Sequence, residues 1–279
     1  MILTSENYYT SEADLNYCSA SQYKDFIGCP RLHGCEARAM ARINGEYTPP
    51  VSKALLIGSL VDALWEGADA DTLLRDFPDC VSTKGPTKGQ LKTEFRQAFD
   101  LYARGRADKN FAQYMSGEKQ VIMTGNIGGL PFKIKMDSYI EGKAIVDLKT
   151  TENESQDFRY YIPDLGQRLP FYSAWGYQTQ LAIYQEIVKQ NTGDKLPCFI
   201  AAVDKKEYPR LAIIKFEEKD LYEALEEVKS HVDIIGMLKA GEVEPTRCES
   251  DECNYCRQTS TAGLYTTSEF ETHDEGRNE

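Results

Sequence analysis

A chain of 279 residues, 41% hydrophobic and 27% charged, has the make-up of an ordinary globular protein with room for a large core. No apolar run approaches the ~18 residues of a membrane span, and the opening "MILTSENYYTSEADLNYC" lacks both the basic and the apolar part of an export signal, so a cytoplasmic location without membrane attachment is expected. A net charge of −12 argues against a surface coated with phosphate-binding cations. It leaves open an enzyme that holds metal ions over phosphates, whose carboxylates are local and whose cations are confined to one groove. Part of the excess charge lies in "TTSEFETHDEGRNE", which has the composition of a disordered terminus.

Taken in chain order, Ser19 followed by Gln22 forms a capping-box pattern, and Tyr23, Phe26 and Ile27 continue it at helical spacing until Cys29-Pro30 interrupts. The stretch "ALLIGSLVDALWEG" predicts a second helix, with Leu56, Leu60 and Leu64 on one side and Asp62 on the other. Lys84, Lys88, Lys92 and Arg96 recur every four residues, and Gly85-Pro86 puts the helix start near Thr87. That stripe reads equally as a solvated face or as a phosphate-facing one.

Strands follow. "KQVIMTGNIGGLPFKIKMDSYIEGKAIVDLKTT" reads as a meander, with Lys133, Lys135 and Asp137 opposite Phe132, Ile134 and Met136. A helix over "SAWGYQTQLAIYQEIVKQ" carries the stripe Tyr177, Leu181, Tyr184 and Val188, with Gln180 one turn before Tyr184. "CFIAAVD" and "RLAIIKF" predict a hairpin, and an amphipathic helix should stop near Gly241. The fold class is therefore mixed α/β. "RYYIPD" and "PFYSAW" supply aromatic residues that read either as packing or as a base-stacking edge.

The period of two puts Asp147 and Lys149 of "IVDLKTT" on one strand face, and the meander brings Asp137 alongside Asp147. Two carboxylates on neighbouring strands can hold Mg²⁺ or Mn²⁺, with the Leu148 carbonyl completing the cage. Lys149 beside them can orient an attacking water and offset charge developing on a phosphate. This residue set suits phosphodiester hydrolysis. Taken alone, D-x-K also reads as a strand-end ion pair.

With Gln180 and Tyr184 following as Q-x-x-x-Y, the order resembles the PD-(D/E)xK nuclease superfamily in its RecB-like branch. "YYTSEADLNYCSASQYKDFIGC", "ALLIGSLVDALWEG", "IVDLKTT" and "GYQTQLAIYQE" are similar to the PDDEXK-like exodeoxyribonuclease VIII type of domain found in phages, over roughly residues 7–261. The resemblance implies a restriction-endonuclease-like core, a central mixed sheet flanked by helices. It implies one nuclease domain over 19–262, an extension at 1–18 and an acidic tail at 263–279. Asp137 and Asp147 become metal ligands, Lys149 the catalytic lysine and Gln180 its support. Where relatives carry a histidine four residues after a glycine, Gly58 is followed by Asp62, an oxygen ligand or an exposed helix residue.

The implied activity is a Mg²⁺- or Mn²⁺-dependent deoxyribonuclease acting on DNA ends in phage or bacterial DNA processing, with a recombinase, single-strand-binding protein or helicase as partner. Lys133 and Lys135, with Lys88, Lys92 and Arg96, would line the DNA groove. Tyr184 would contact DNA or serve as core. The alternative is a non-cleaving DNA-end or protein-binding module on the same scaffold.

Eight cysteines without an export signal read as free thiols or metal ligands, and three histidines make histidine chemistry a poor guess. Cys248, Cys253 and Cys256 crowd into nine positions of a polar segment and need a fourth ligand. By the RecB-like resemblance that ligand is Cys29, closing a structural 4Fe-4S cluster, with Cys35 as substitute. Spacing alone leaves Zn²⁺ an equal alternative.

Overall fold

In a computed structural model, which describes residues 1–151, 158–248, 250, 253–262 and 266–267, the chain opens with two short helices, α1 (Ser11–Asn16) and α2 (Ala20–Ile27). Apart from 266–267, the acidic tail lies outside the described residues. Ser19 caps α2 by accepting the Gln22 N–H at 3.2 Å, half of the expected box. The other half is missing because Gln22 spends its amide on Asp14 O and on Lys239.

Gly28, at φ +94°, ends α2 and starts a small hairpin, β1 (Gly28–Cys29) and β2 (Leu32–His33). The chain then returns so closely past α2 that a Cβ on Gly34 would stand 2.4 Å from the Phe26 carbonyl oxygen. Backbone cannot yield there as a side chain tip could. Gly34→Ala is therefore expected to lower unfolding stability by about 1–3 kcal/mol or more, read as a drop in the urea midpoint.

Helices α3 (Glu36–Ile43), α4 (Lys53–Glu66), α5 (Ala70–Asp76), α6 (Gln97–Ala107) and α7 (Lys109–Tyr114) follow. Ser52 caps α4 and Gly67 closes it in the left-handed conformation. The lysine stripe is not helical. Residues 81–92 form a turn closed by a Val81–Leu91 bridge, with Gly85 and Gly89 at positive φ, and α6 begins only at Gln97. Lys88, Lys92 and Arg96 are therefore not aligned by a helix, and Lys92 donates to the Asp79 carbonyl at 2.7 Å.

The meander divides at Asp137. Strands β3 (Val121–Ile127) and β4 (Leu130–Met136) pair only with each other as named strands, whereas β5 (Ser138–Ile140) and β6 (Ala144–Thr151) belong to a second sheet. A ribbon of β7 (Arg159–Ile162) and β8 (Gln167–Pro170) leads through α8 (Phe171–Ala174) to α9 (Tyr177–Thr192). The chain then crosses to β9 (Cys198–Asp204), which lies parallel to β6, and turns into the antiparallel β10 (Leu211–Lys215). The mixed sheet has the order β10-β9-β6-β5. The long α10 (Glu218–Ala240) stops at Gly241, and α11 (Asn254–Gln258) is the last element.

Both sheet faces are buried, which explains the apolar run in β6. Ile145, Ile200 and Ala202 face a core built with α2, α9, α10, β3 and β4. Val146, Leu148, Ala201 and Val203 face a second core with α4, α6 and α7. Among the described residues no helix is long and apolar enough to cross a membrane.

Candidate active site

Alternation along β6 places Asp147 and Lys149 on the Ile145 side, toward the carboxyl end of a strand with a parallel neighbour, the end at which open α/β sheets gather ligands. Asp147 is only 2% exposed. Gln180, in the first turn of α9, donates to its Oδ1 at 2.6 Å, and the Lys149 ammonium pairs with Oδ2. Gln180 is steadied by the Tyr184 hydroxyl at 3.2 Å, which itself donates to the Lys135 carbonyl at 3.0 Å.

Asp137 occupies the break between β4 and β5. The last β5–β6 pair is Ser138–Val146, and just beyond it the Leu148 N–H donates to Asp137 Oδ2 at 2.8 Å. The split that separates the two sheets thus gives this carboxylate a strand amide to hold. Asp62 arrives from the other core. Gly58 lets α4 approach β6, since a Cβ there would stand 3.0 Å from Thr150 Oγ1, and Asp62 follows one turn later on the same side. A cleft of about 520 Å³ is lined by Asp62, Asp137, Asp147, Leu148, Lys149 and Gln180.

Charge in this cleft is unbalanced. Burial, then the Asp147 charge, pushes Asp137 up to about 7, against the pull of Lys149. Burial, then Asp137, drives Asp62 well above the usual carboxylate range. Burial would lower Lys149, but the charges around it, Asp147 first, hold it above its ordinary value. Among the described residues, Gln120 Oε1 on the cleft wall is buried without a hydrogen-bond partner, and Asp147 Oδ2 is met by the Lys149 ammonium. Five acids line the cleft (Asp62, Glu66, Asp76, Asp137, Asp147) against three lysines (Lys133, Lys135, Lys149), and Asp62, Asp137 and Asp147, which feel one another's charge, fit a hard divalent cation with oxygen ligands.

Lys133 and Tyr184 border the cleft but are tied up within the protein. Lys133 is 1% exposed, pairs with Asp14 at 2.6 Å and donates to the Tyr8 carbonyl at 2.5 Å, because residue 18 adds to the edge of β4 and roofs its polar face. It is an internal tie. Lys133→Met is expected to cost about 1–3 kcal/mol of stability, read by thermal unfolding, and to leave the salt dependence of DNA binding unchanged. Tyr184 packs in the α9 core, its hydroxyl donating to the Lys135 carbonyl and accepting from Gln180. Lys135 does reach the cleft, its ammonium 4.7 Å from the Tyr9 ring.

Sequence reasoning missed Glu66, four residues after Asp62 and on the cleft wall, although that spacing was available. It also missed Tyr177, taken as core, whose ring lies 4.9 Å from the Lys149 ammonium and 5.0 Å from that of Lys24. Burial, then repulsion from Lys149, lowers Lys24 to about 8.

A separate thiol set joins the two ends of the chain. Cys35, Cys248, Cys253 and Cys256 offer sulfurs all within 4.8 Å of one another, with Cys35–Cys256 at 3.5 Å and Cys248–Cys256 at 3.9 Å. Cys29 is absent from this set. The β1–β2 hairpin turns the chain between the two cysteines, leaving Cys29 against Gly176 and carrying Cys35 to the start of α3. A tetrahedron of thiolates around one zinc ion at 2.3 Å has edges of about 3.8 Å. A four-iron cube attaches each thiolate to its own iron and needs a wider set. The observed spacing matches that of a single ion, and a cube would need the sulfurs to spread apart.

The sequence matches the family described as a PDDEXK-like domain of unknown function (DUF3799) over residues 19–259. Among curated proteins there is no match. The structure is similar to the crystal structure of a "putative exonuclease" from Eubacterium rectale, with a TM-score of 0.88 and 44% identity over 98% of each chain. Another solved structure, SSO0001, aligns at 11% identity over 70% of this chain and 82% of that one, with a TM-score of 0.28 that carries no argument.

Proposed function

The chain belongs to the PDDEXK-like domain family, a restriction-endonuclease-like nuclease fold, and from that premise we propose that it is a Mg²⁺- or Mn²⁺-dependent deoxyribonuclease acting on DNA ends. The observation that carries this reading is the unbalanced cleft. Asp62, Asp137 and Asp147 converge beside Lys149 in a cleft whose acids outnumber its lysines. Asp137 and Asp147, with Asp62, would hold the cation, and the backbone at Leu148 borders it. When bound, the cation supplies Lewis acidity toward the phosphate and the attacking water.

The chain's own groups do the rest. Lys149 faces the reacting phosphate as a cation and orients the water through its N–H donors. Gln180 fixes the Asp147 carboxylate, and Tyr184 fixes Gln180. The Leu148 amide keeps Asp137 turned inward. A merely binding module has no use for this chain of support, which favours the enzyme over the non-cleaving alternative. The preference for ends leans on what the Eubacterium rectale relative is described as, and a role in DNA processing beside a recombinase, single-strand-binding protein or helicase is part of the same proposal.

At the thiol set the spacing supports Zn²⁺, held by Cys35, Cys248, Cys253 and Cys256 as a structural clasp, in place of an iron-sulfur cluster.

The test of function is incubation of the purified protein with linear and circular DNA, with and without Mg²⁺ or Mn²⁺. Loss of linear DNA that requires the metal, with circular DNA spared, is the expected result. Binding without loss under either metal would replace the enzyme by the binding module.

A further inference from the structure

Two assemblies of aromatic rings and cations flank the carboxylates. On one side Tyr9, 70% exposed, lines the cleft with the Lys135 ammonium 4.7 Å from its ring. On the other, a second concavity of about 780 Å³ shares Asp62, Lys149 and Gln180 with the cleft and continues past Tyr177 and Trp175. There the Arg31 guanidinium lies 4.5 Å from the Tyr160 ring and 5.3 Å from that of Trp175. Lys24 donates to the Trp175 carbonyl at 3.3 Å and holds its charge beside Tyr177.

Rings meant only for packing would be sealed by aliphatic neighbours. Tyr160 is itself buried, but Tyr9, Trp175 and Tyr177 wall open space, accompanied by cations, in a chain whose net charge is −12. The concavity falls within the ~300–1,000 Å³ of small-molecule sites, a size suited to a nucleotide. Aromatic and guanidinium planes stack on bases at about 1–3 kcal/mol per base, and neighbouring ammonium groups draw the phosphates. Duplex DNA hides its base faces against one another except at the terminal pair. Platforms on both sides of one scissile phosphate can be filled together only by a strand whose bases are free.

We propose that the strand being cut runs through this site unpaired, with one nucleotide seated in the concavity walled by Arg31, Trp175 and Tyr177, and its neighbour across the phosphate stacked on Tyr9. The substrate class at the site is thus single-stranded DNA, whether a free strand or an opened end, and the inference rests on the nuclease reading above. Arg31 and Tyr9 then determine specificity without taking part in the chemistry.

The test is fluorescence anisotropy without added divalent metal, comparing a labelled short oligothymidylate with a blunt duplex of the same length. The single strand is expected to bind tenfold or more tightly than the duplex. Arg31→Ala and Tyr9→Ala should each weaken that binding about tenfold and leave duplex binding nearly unchanged. Tyr9 is exposed, so its variant keeps the test informative should Arg31→Ala fail to fold. Equal or tighter binding of the blunt duplex, or single-strand binding unaffected in every folded variant, would overturn the inference. Failure of the nuclease reading looks different: the wild-type protein would leave every DNA uncut in Mg²⁺ or Mn²⁺, a result read in a separate digestion.

Discussion

Asp147→Asn is expected to lower metal-dependent cleavage of linear DNA by about 10²–10⁴-fold, the range of several kcal/mol of lost transition-state stabilisation. Asparagine keeps the shape of the side chain and an Oδ1 to accept the Gln180 amide, but it sets an N–H donor against the Lys149 ammonium, which must turn away as one anionic ligand disappears. Lys149 loses its ion-pair partner but keeps the face of Tyr177, so the cost in stability should stay near 1–3 kcal/mol. The companion variant Lys149→Met should lose activity to a similar degree, and the two should part in their metal dependence. The aspartate variant should need far more Mn²⁺ for whatever rate remains, whereas the methionine variant should saturate at the wild-type concentration. Rates measured across a Mn²⁺ titration check this. An Asp147→Asn protein that cuts at the wild-type rate would remove that carboxylate from the machinery.

Cys35→Ser is expected to abolish stoichiometric metal at the thiol set, and Cys29→Ser to leave it untouched. Elemental analysis of the wild type should give one zinc per chain and no iron with labile sulfide. Losing the ion removes a contact that joins α3 to the segment after α10, and at about 3 kcal/mol or more the melting temperature should fall by roughly 6–12 °C. A brown, iron-containing protein, or metal loss on mutating Cys29 in place of Cys35, would reverse both the ion and the ligand assignment.

The comparison of these two cysteines also shows where sequence reasoning runs out. That three thiols in a short polar segment need a fourth is a matter of stoichiometry and was legible. Which of two cysteines six residues apart supplies it depends on a hairpin whose turn is set by Gly28 and by the tight passage of Gly34 past α2, and neither is visible in spacing. The same division holds at the cleft. Period two along β6 was enough to set Asp147 beside Lys149, and i, i+4 spacing was enough to pair Gly58 with Asp62. The meander did not reveal that it would split at Asp137, because the split follows from residue 18 occupying the β4 edge, a contact between distant parts of the chain. The tie of Lys133 to Asp14 and Tyr8 was hidden for the same reason. The lysine repeat at 84–96 failed more simply, since two glycines at positive φ outweigh a charge pattern that stabilises nothing alone.

The order in which these parts are made has its own consequence. Cys35 is synthesised before any strand of the mixed sheet, and its three partner thiols only after all four strands and α10. A growing polypeptide therefore acquires its whole acidic centre before it can be clasped. If the thiol set takes the ion proposed above, metallation follows the folding of the sheet, and the supply of the ion would govern how long α3 and the segment after α10 wait unjoined.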